Sequence, residues 1–345
     1  MRNSDHEQQP PERSIAMMSL ELMNRFMATV DDQYHSPIAD EIVSRWMLEP
    51  VDVRFFRASA NFTCFAETPR RQGFLRFNLV QDRAYDFIYG EVAYIIRLAN
   101  QGIKVAKPLP SLIGKWIEKV ETALGTFNGV LFPVMPGIHL DLETLDLTGF
   151  GRWGRALGEV HQASEAQDIK GRLSWRDHIV QARKRLPLSE TAVLEELQSL
   201  EEKLEQLPQD KAQYGMIHYD FELDNLCWHN DQPSIIDCDD CAYYWFVADI
   251  AYALRDLFED HADHVNLTNE RFRAFVTGYR AVRSMSENEL QMIPMFLRLH
   301  NLVSMGRLYA SLGSGPTADE PDWMIELRQK FHNKLAYYRA STRSF

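Results

Sequence analysis

The stretch that decides the fold is residues 216–241, MIHYDFELDNLCWHNDQPSIIDCDDC. It carries seven acidic residues: Asp220, Glu222, Asp224, Asp231, Asp237, Asp239 and Asp240. Apolar runs such as MIH and SIID lead into several of them, the pattern of short buried strands that end in polar groups. Like charges gathered at strand ends repel one another. The arrangement is costly unless a cation, usually a metal, sits among them.

The rest of the chain limits what such a cluster could serve. Its 345 residues suit two domains or lobes, and a hydrophobic fraction of 45% with 25% charged residues is that of an ordinary globular protein. Forty-nine acids against 37 bases give a net charge of −12, which argues against nucleic acid as partner. An acidic surface also serves solubility, and a cationic or metal-complexed ligand fits it equally well. Residues 1–13 are polar, lack the apolar centre of a signal peptide and are expected to be a disordered tail. No apolar run reaches the roughly 18 residues of a membrane span. Four cysteines, Cys64, Cys227, Cys238 and Cys241, are too few for a disulfide scaffold in a chain of this length. A cytoplasmic protein without a membrane partner is expected.

Outward from the acidic stretch, texture divides the chain. Helical spacing covers SIAMMSLELMNRFMATV and PIADEIVSRWM. VDVRFFRASANFTCFAET reads as two strands around a turn at Ala58–Asn61. GFLRFNLV alternates, with Leu75, Phe77 and Leu79 on one face and Phe74, Arg76, Asn78 and Val80 on the other. An arginine in mid-strand on a half-buried face needs a partner, and the helix AYDFIYGEVAYIIRLANQGI offers Glu91. GVLFPVMPGIHL is a further strand, broken at Pro136–Gly137. From about 141 onward the pattern is mostly helical, except for NLCW and PSIID, joined by the turn HNDQ. Ser286 with Glu289 forms a capping box for a helix read as running to Leu312. The expectation is a nucleotide-binding β-rich lobe with its leading helices over 14–135, and a helical lobe over 136–345.

Asp220, Asn225 and Asp237 have the residue types that phosphoryl transfer requires: one carboxylate to orient a hydroxyl, and a carboxylate with an amide oxygen to hold Mg²⁺. The spacing His-x-Asp-x-x-x-x-Asn, followed by IIDCDD and DIAYAL, resembles the aminoglycoside phosphotransferase, choline kinase and homoserine kinase group. GEVAYIIRLANQGIKVAKPLPS, the VMPG turn and WGRALGEVHQAS extend the resemblance in order along nearly the whole chain. It implies an α+β, two-lobed protein-kinase-like fold, with a small N-terminal lobe around an antiparallel sheet and a larger, mainly helical C-terminal lobe. It implies an ATP- and Mg²⁺-dependent kinase acting on the hydroxyl of a small molecule.

Carried over residue by residue, the resemblance makes Asp220 the catalytic base, and Asn225 and Asp237 the metal ligands. Arg76, partnered by Glu91, takes the place of the strand lysine that holds the non-transferred phosphates. The backbone near Pro133 and Met135 receives adenine, and Ser59, Ala60 and Asn61 form the phosphate-covering turn. His218 and Asp249 match structural positions. The acids Glu222, Asp224, Asp239 and Asp240 point to an amine-bearing acceptor such as an amino alcohol, hydroxy amino acid or aminosugar. Three departures stand out: the phosphate-covering turn has no glycine, arginine replaces lysine, and Tyr219 follows His218 where glycine is usual.

Plainer readings exist for these residues. Asp220 and Asn225 favour turns anyway, Arg76–Glu91 is also an ordinary strand–helix ion pair, and Asp239 and Asp240 could cap the next helix. His161, His300 and Trp153 read as core. Cys227, His229, Cys238 and Cys241 have zinc-like spacing, with buried cysteines as the plainer account. The two other readings of the whole are a protein Ser/Thr kinase and a nucleotide-binding protein without catalysis. Only twelve residues separate Asp237 from Asp249, too few for an obvious activation segment.

Overall fold

The computed structural model describes residues 18–47, 51–165, 168–313, 315–316 and 319–342. The tail expected at 1–13 lies outside them. Two short helices, α1 (Leu20–Met27) and α2 (Pro37–Val43), precede the strands β1 (Asp52–Ala58), β2 (Phe62–Glu67) and β3 (Gln72–Leu79). Helix α3 (Tyr85–Asn100) follows, then β4 (Glu118–Thr122) and β5 (Gly125–Pro133). The five strands form one antiparallel sheet in the order β1-β2-β3-β5-β4.

The alternation in β3 sorts the two faces of this sheet. Leu75 and Phe77 are fully buried on the rear, where α1 and α2 cover the sheet. There the Phe26 ring of α1 lies 4.2 Å from Phe62 and 5.5 Å from Phe77, and Phe77 lies 5.5 Å from Phe127. Ser19 caps α1 by accepting from the Leu22 amide, so the helix starts at Leu20, six residues later than the sequence spacing at Ser14. On the front face, α3 packs Ile88 and Val92 against Val130 of β5. That contact brings Glu91, on the same helix, to the front face beside Arg76.

The larger lobe is mainly helical. It contains α4 (Leu147–Ser164), α5 (Trp175–Arg185), α6 (Thr191–Glu205), α7 (Phe246–Ala253), α8 (Glu270–Arg280), α9 (Glu287–Leu290), α10 (Ile293–Leu312) and α11 (Asp322–Thr342). Two small antiparallel ribbons complete it: β6 (Tyr214–Ile217) with β9 (Ala242–Trp245), and β7 (Leu226–His229) with β8 (Gln232–Ile235). Helices α4 and α8 approach closely because a Cβ on Gly154 would sit 1.9 Å from the Phe275 carbonyl oxygen, a contact only glycine avoids.

Three readings of the sequence change here. Strands β4 and β9 were not anticipated. The helix expected from Ser286 to Leu312 is two: the capping box of Ser286 and Glu289 starts α9, which ends after one turn, and α10 restarts with Pro294 in its first turn. No helix among the described residues is long and apolar enough to cross a membrane.

Candidate active site

The loop between β6 and β7 carries the central motif and is fixed from beneath. Asp249, fully buried in the first turns of α7, accepts from the amides of His218 and Tyr219, both at 2.8 Å, and pairs with His161 Nε2 at 3.0 Å. His161 Nδ1 meets the Tyr279 hydroxyl at 3.0 Å, and burial pushes the His161 pKa down against the pull of Asp249. Trp153 Nε1 donates to the Phe221 carbonyl at 3.0 Å from the other side. Tyr219 sits at φ +73°, in the left-handed region that glycine enters freely and a tyrosine enters at a cost of roughly 1 kcal/mol or more. A cage of aromatic rings, Tyr244, Tyr252, His178 and His300, holds it there.

This loop presents Asp220 at a cavity of about 450 Å³, lined also by Glu222, Asp224, Asp240, Asp256 and Asp260 and, among others, Arg255, His300, Arg307 and Lys334. Asn225 Nδ2 donates at 2.8 Å both to the Asp220 carbonyl and to its Oδ2, while Arg255 donates to Oδ1 at 2.8 Å. Burial works to raise the Asp220 carboxyl, but Arg255 outweighs it, with His218 and His300 adding, and holds it down at about 2. Glu222 shares Arg255. Burial and the neighbouring Asp220 charge push its carboxyl up to about 9, so at neutral pH Glu222 is protonated and hydrogen-bonds Asp220. His300, buried against Tyr219 and Tyr252, also lines the cavity, and burial with nearby arginines pushes it down to about 3.

The Glu222 shift has a measurable consequence. A carboxyl raised in the folded state from 4.5 towards 9 adds stability that is fully present below about pH 4.5 and is lost as pH rises to about 9. Glu222→Gln carries no such proton. Its melting temperature should therefore gain on wild type steadily from about pH 5 to about pH 9. Parallel curves would show that Glu222 titrates as an ordinary carboxyl.

Asp231, Asp237, Asp239 and Asp240 are paired with arginines as well. Asp237 receives Arg76 on Oδ1 at 2.9 Å and Arg57 on Oδ2 at 3.0 Å. Arg76 also donates to Glu91, and the Phe132 ring lies 4.7 Å from its guanidinium carbon. Asp239 pairs with Arg83 and accepts from Asn61 Nδ2 at 2.8 Å, while Arg172 donates to its carbonyl. Asp240 pairs with Arg307 at 3.0 Å, and Asp231 with Arg152 at 3.2 Å. Asp224 is exposed at the mouth. The repulsion is thus relieved by side chains from β1, β3, α4, α10 and the segments after β3 and α7. Arg307 could have been noticed as the one charge in the apolar run 299–312; the others carry no local signal.

The geometry divides the expected site residues. Asp220, Glu222, Asp224 and Asp240 share the cavity, whereas Asp239 is buried beneath the small lobe and does not line it. Neither Asp239 nor Asp240 caps a helix, since β9 follows. Ser59 and Asn61 form the β1–β2 turn, and its polar groups are already engaged: the Ser59 amide donates to Asn61 O, Ser59 O accepts from Met18 N, and Ala60 O accepts from Asn78 Nδ2. Pro133 ends β5, and Met135 lies in the partly exposed crossing to Ile138, which pairs with Trp228 of the large lobe. Asn225 O accepts from the Ile236 amide at 3.0 Å, which ties the segments carrying Asn225 and Asp237 together.

The zinc-like set does not assemble. Cys238 and Cys241 are fully buried, burial pushes the Cys241 thiol up to about 12, and His229 is exposed at the end of β7. Among the described residues no three His, Cys, Asp or Glu side chains group as a metal site. Four buried free cysteines are what remains.

A small lobe with a front-face Arg–Glu pair, set over a loop carrying Asp220 and Asn225 and followed by Asp237, defines a kinase-type phosphotransferase. The chain belongs to the phosphotransferase enzyme family, which it matches over residues 52–284. It is 27% identical over 302 residues to the amicoumacin kinase of Bacillus subtilis (strain 168), spanning 85% of this chain and 90% of that protein. It is 28% identical over 260 residues to the homoserine kinase of Sinorhizobium medicae (strain WSM419), spanning 69% and 74% respectively. Among solved structures, the amicoumacin kinase hAmiN in complex with AMP-PNP, Ca²⁺ and Ami superposes with a TM-score of 0.73 at 25% identity, covering 90% of this chain and 96% of that one. The protein is accordingly a small-molecule kinase with the protein-kinase-like fold.

Proposed function

We propose that the protein transfers the γ-phosphoryl group of ATP, with Mg²⁺, to a hydroxyl of a small amine-bearing molecule. The observation that carries this reading is the placement of an ionised Asp220, fixed by Asn225 and Arg255, at the wall of a cavity with six carboxyl groups against three permanent cations. An ammonium group on the acceptor suits that balance. Asp220 orients the acceptor hydroxyl. A carboxyl held near 2 is a weak proton acceptor, so its main work is alignment, with the proton passing late in the transfer. Glu222, Asp224 and Asp240 hold the acceptor's polar groups, while Asp239 joins the nucleotide side through Asn61.

Asn225 and Asp237 are the groups to hold Mg²⁺. The Asn225 amide nitrogen is turned to Asp220, so its oxygen faces away from that carboxylate. An amide oxygen and a partly exposed carboxylate are the hard donors this ion prefers. When bound, Mg²⁺ offsets charge on the phosphates. Arg76, steadied by Glu91, grips the non-transferred phosphates, and the backbone from Pro133 to Met135 receives adenine. The span between Asp237 and Asp249 is taken up by a four-residue turn, β9 and the start of α7, which leaves no activation segment and favours a small acceptor over a protein.

Thermal denaturation tests this reading with Mg²⁺-ATP, Mg²⁺-GTP and Mg²⁺ alone. At 100 times its dissociation constant a ligand of the folded state adds about 2.7 kcal/mol of stability. Mg²⁺-ATP should stabilise the wild type by about that amount and Asp237→Ala by much less. A wild type that no nucleotide stabilises would overturn the proposal in favour of a non-catalytic protein.

A further inference from the structure

Registry across the small-lobe sheet places Arg57 of β1 opposite Thr63 of β2, Thr63 opposite Arg76 of β3, and Arg76 opposite Val130 of β5. Directly opposed residues project from the same face. Arg57 and Arg76 thus stand in one row on the front of the sheet, and each takes one oxygen of Asp237. The break in β1 register between Phe55 and Arg57 is what turns Arg57 into that row. The two arginines differ in their surroundings. Arg76 is 9% exposed and tied to Glu91, whereas Arg57 is 52% exposed and pairs with Asp237. An exposed pair of this kind contributes about 0–1 kcal/mol and is readily exchanged for a stronger anion.

A second observation gives Arg57 something to do. The turn after it has no glycine, and two of its donors, the Ser59 backbone amide and the Asn61 side-chain Nδ2, are already bonded. Such a turn offers phosphate fewer donors and a less close backbone approach than a glycine-rich turn, which cradles it with free N–H groups. We propose that Arg57 supplies this missing anion recognition. It covers the Asp237 carboxylate when no nucleotide is bound, and it grips the triphosphate when that carboxylate turns to the metal. Its planar fork of donors suits phosphate oxygens. The inference rests on the kinase reading above.

Calorimetric titration of wild type, Arg57→Ala and Arg57→Lys with Mg²⁺-ATP, and separately with adenosine, tests it. Arg57→Ala should weaken Mg²⁺-ATP binding about tenfold, the scale of one charge-assisted hydrogen-bonded contact. Arg57→Lys should recover part of the loss, and adenosine, which has no phosphate, should bind all three alike. Unchanged or tighter Mg²⁺-ATP binding by Arg57→Ala would overturn the inference and leave Arg57 as a cover for Asp237 only. Equal losses for ATP and adenosine would overturn it as well, because they point to a disturbed sheet. If the wild type itself ignores Mg²⁺-ATP, the kinase reading falls and this inference with it.

Discussion

Asp220→Asn should lower turnover by about 10³-fold while leaving Mg²⁺-ATP affinity within a factor of two or three of wild type. The substitution keeps the shape of the side chain, so the bond from Asn225 Nδ2 can still be accepted. The fold has a ready compensation, because Arg255 also contacts Glu222. With the neighbouring charge removed, Glu222 loses one of the causes that hold its pKa up and becomes the natural partner of Arg255. What disappears is the carboxylate that aligns the acceptor hydroxyl. Nucleotide binding is assigned to Arg76, Asn225 and Asp237, none of which changes. Steady-state kinetics and a nucleotide titration on the same preparation decide the matter. Turnover within tenfold of wild type removes Asp220 from the orienting role. A parallel loss of nucleotide affinity relocates it to the metal site.

The largest effect on stability is expected at Asp249. Its two oxygens satisfy the amides of His218 and Tyr219 and the Nε2 of His161, all in a part of the lobe without exposure. Asp249→Ala leaves these groups unpaired together. With an unsatisfied buried donor costing about 1–3 kcal/mol, the expected loss is about 3–5 kcal/mol. It should appear as a clear shift of the denaturant midpoint. Asp224→Ala, at an exposed site in the same loop, should stay within about 0.5 kcal/mol of wild type. Equal behaviour of the two variants would mean that the loop is held by its aromatic cage and not by the carboxylate.

Much of the site was legible because its chemistry is local in sequence. Asp220 and Asn225 lie in one turn, Asp237 closes the next ribbon, and the alternation in β3 put Arg76 on the correct face. The phenylalanines behind the sheet were legible by the same rule. The missed elements failed for physical reasons. β4, at the sheet edge, is short and charged, with Glu118, Lys119 and Glu121 in a five-residue strand. β9 runs into α7 with no turn residue between, so its aromatic run reads as the beginning of the helix. The arginine partners were out of reach for a different reason. Arg83 and Asp239 are 156 residues apart, and Arg57 and Asp237 are 180 apart; only the packing of the two lobes makes them neighbours. A reader of the sequence alone finds seven charges without the arginines that balance them, because those come from elsewhere in the fold.

The walls of the proposed acceptor cavity do not all belong to the stretch that the family model matches. His300, Ser304, Arg307 and Leu308 come from α10, and Lys334 and Tyr338 from α11. All six lie beyond residue 284, where the family match stops. The machinery proposed to hold nucleotide and align a hydroxyl lies wholly before that point. The proposed acceptor cavity therefore joins residues from Tyr219 to Asp260, inside the family match, to a C-terminal wall beyond it. Substitutions in α10 and α11 would reshape that cavity without touching Asp220, Asn225 or Asp237.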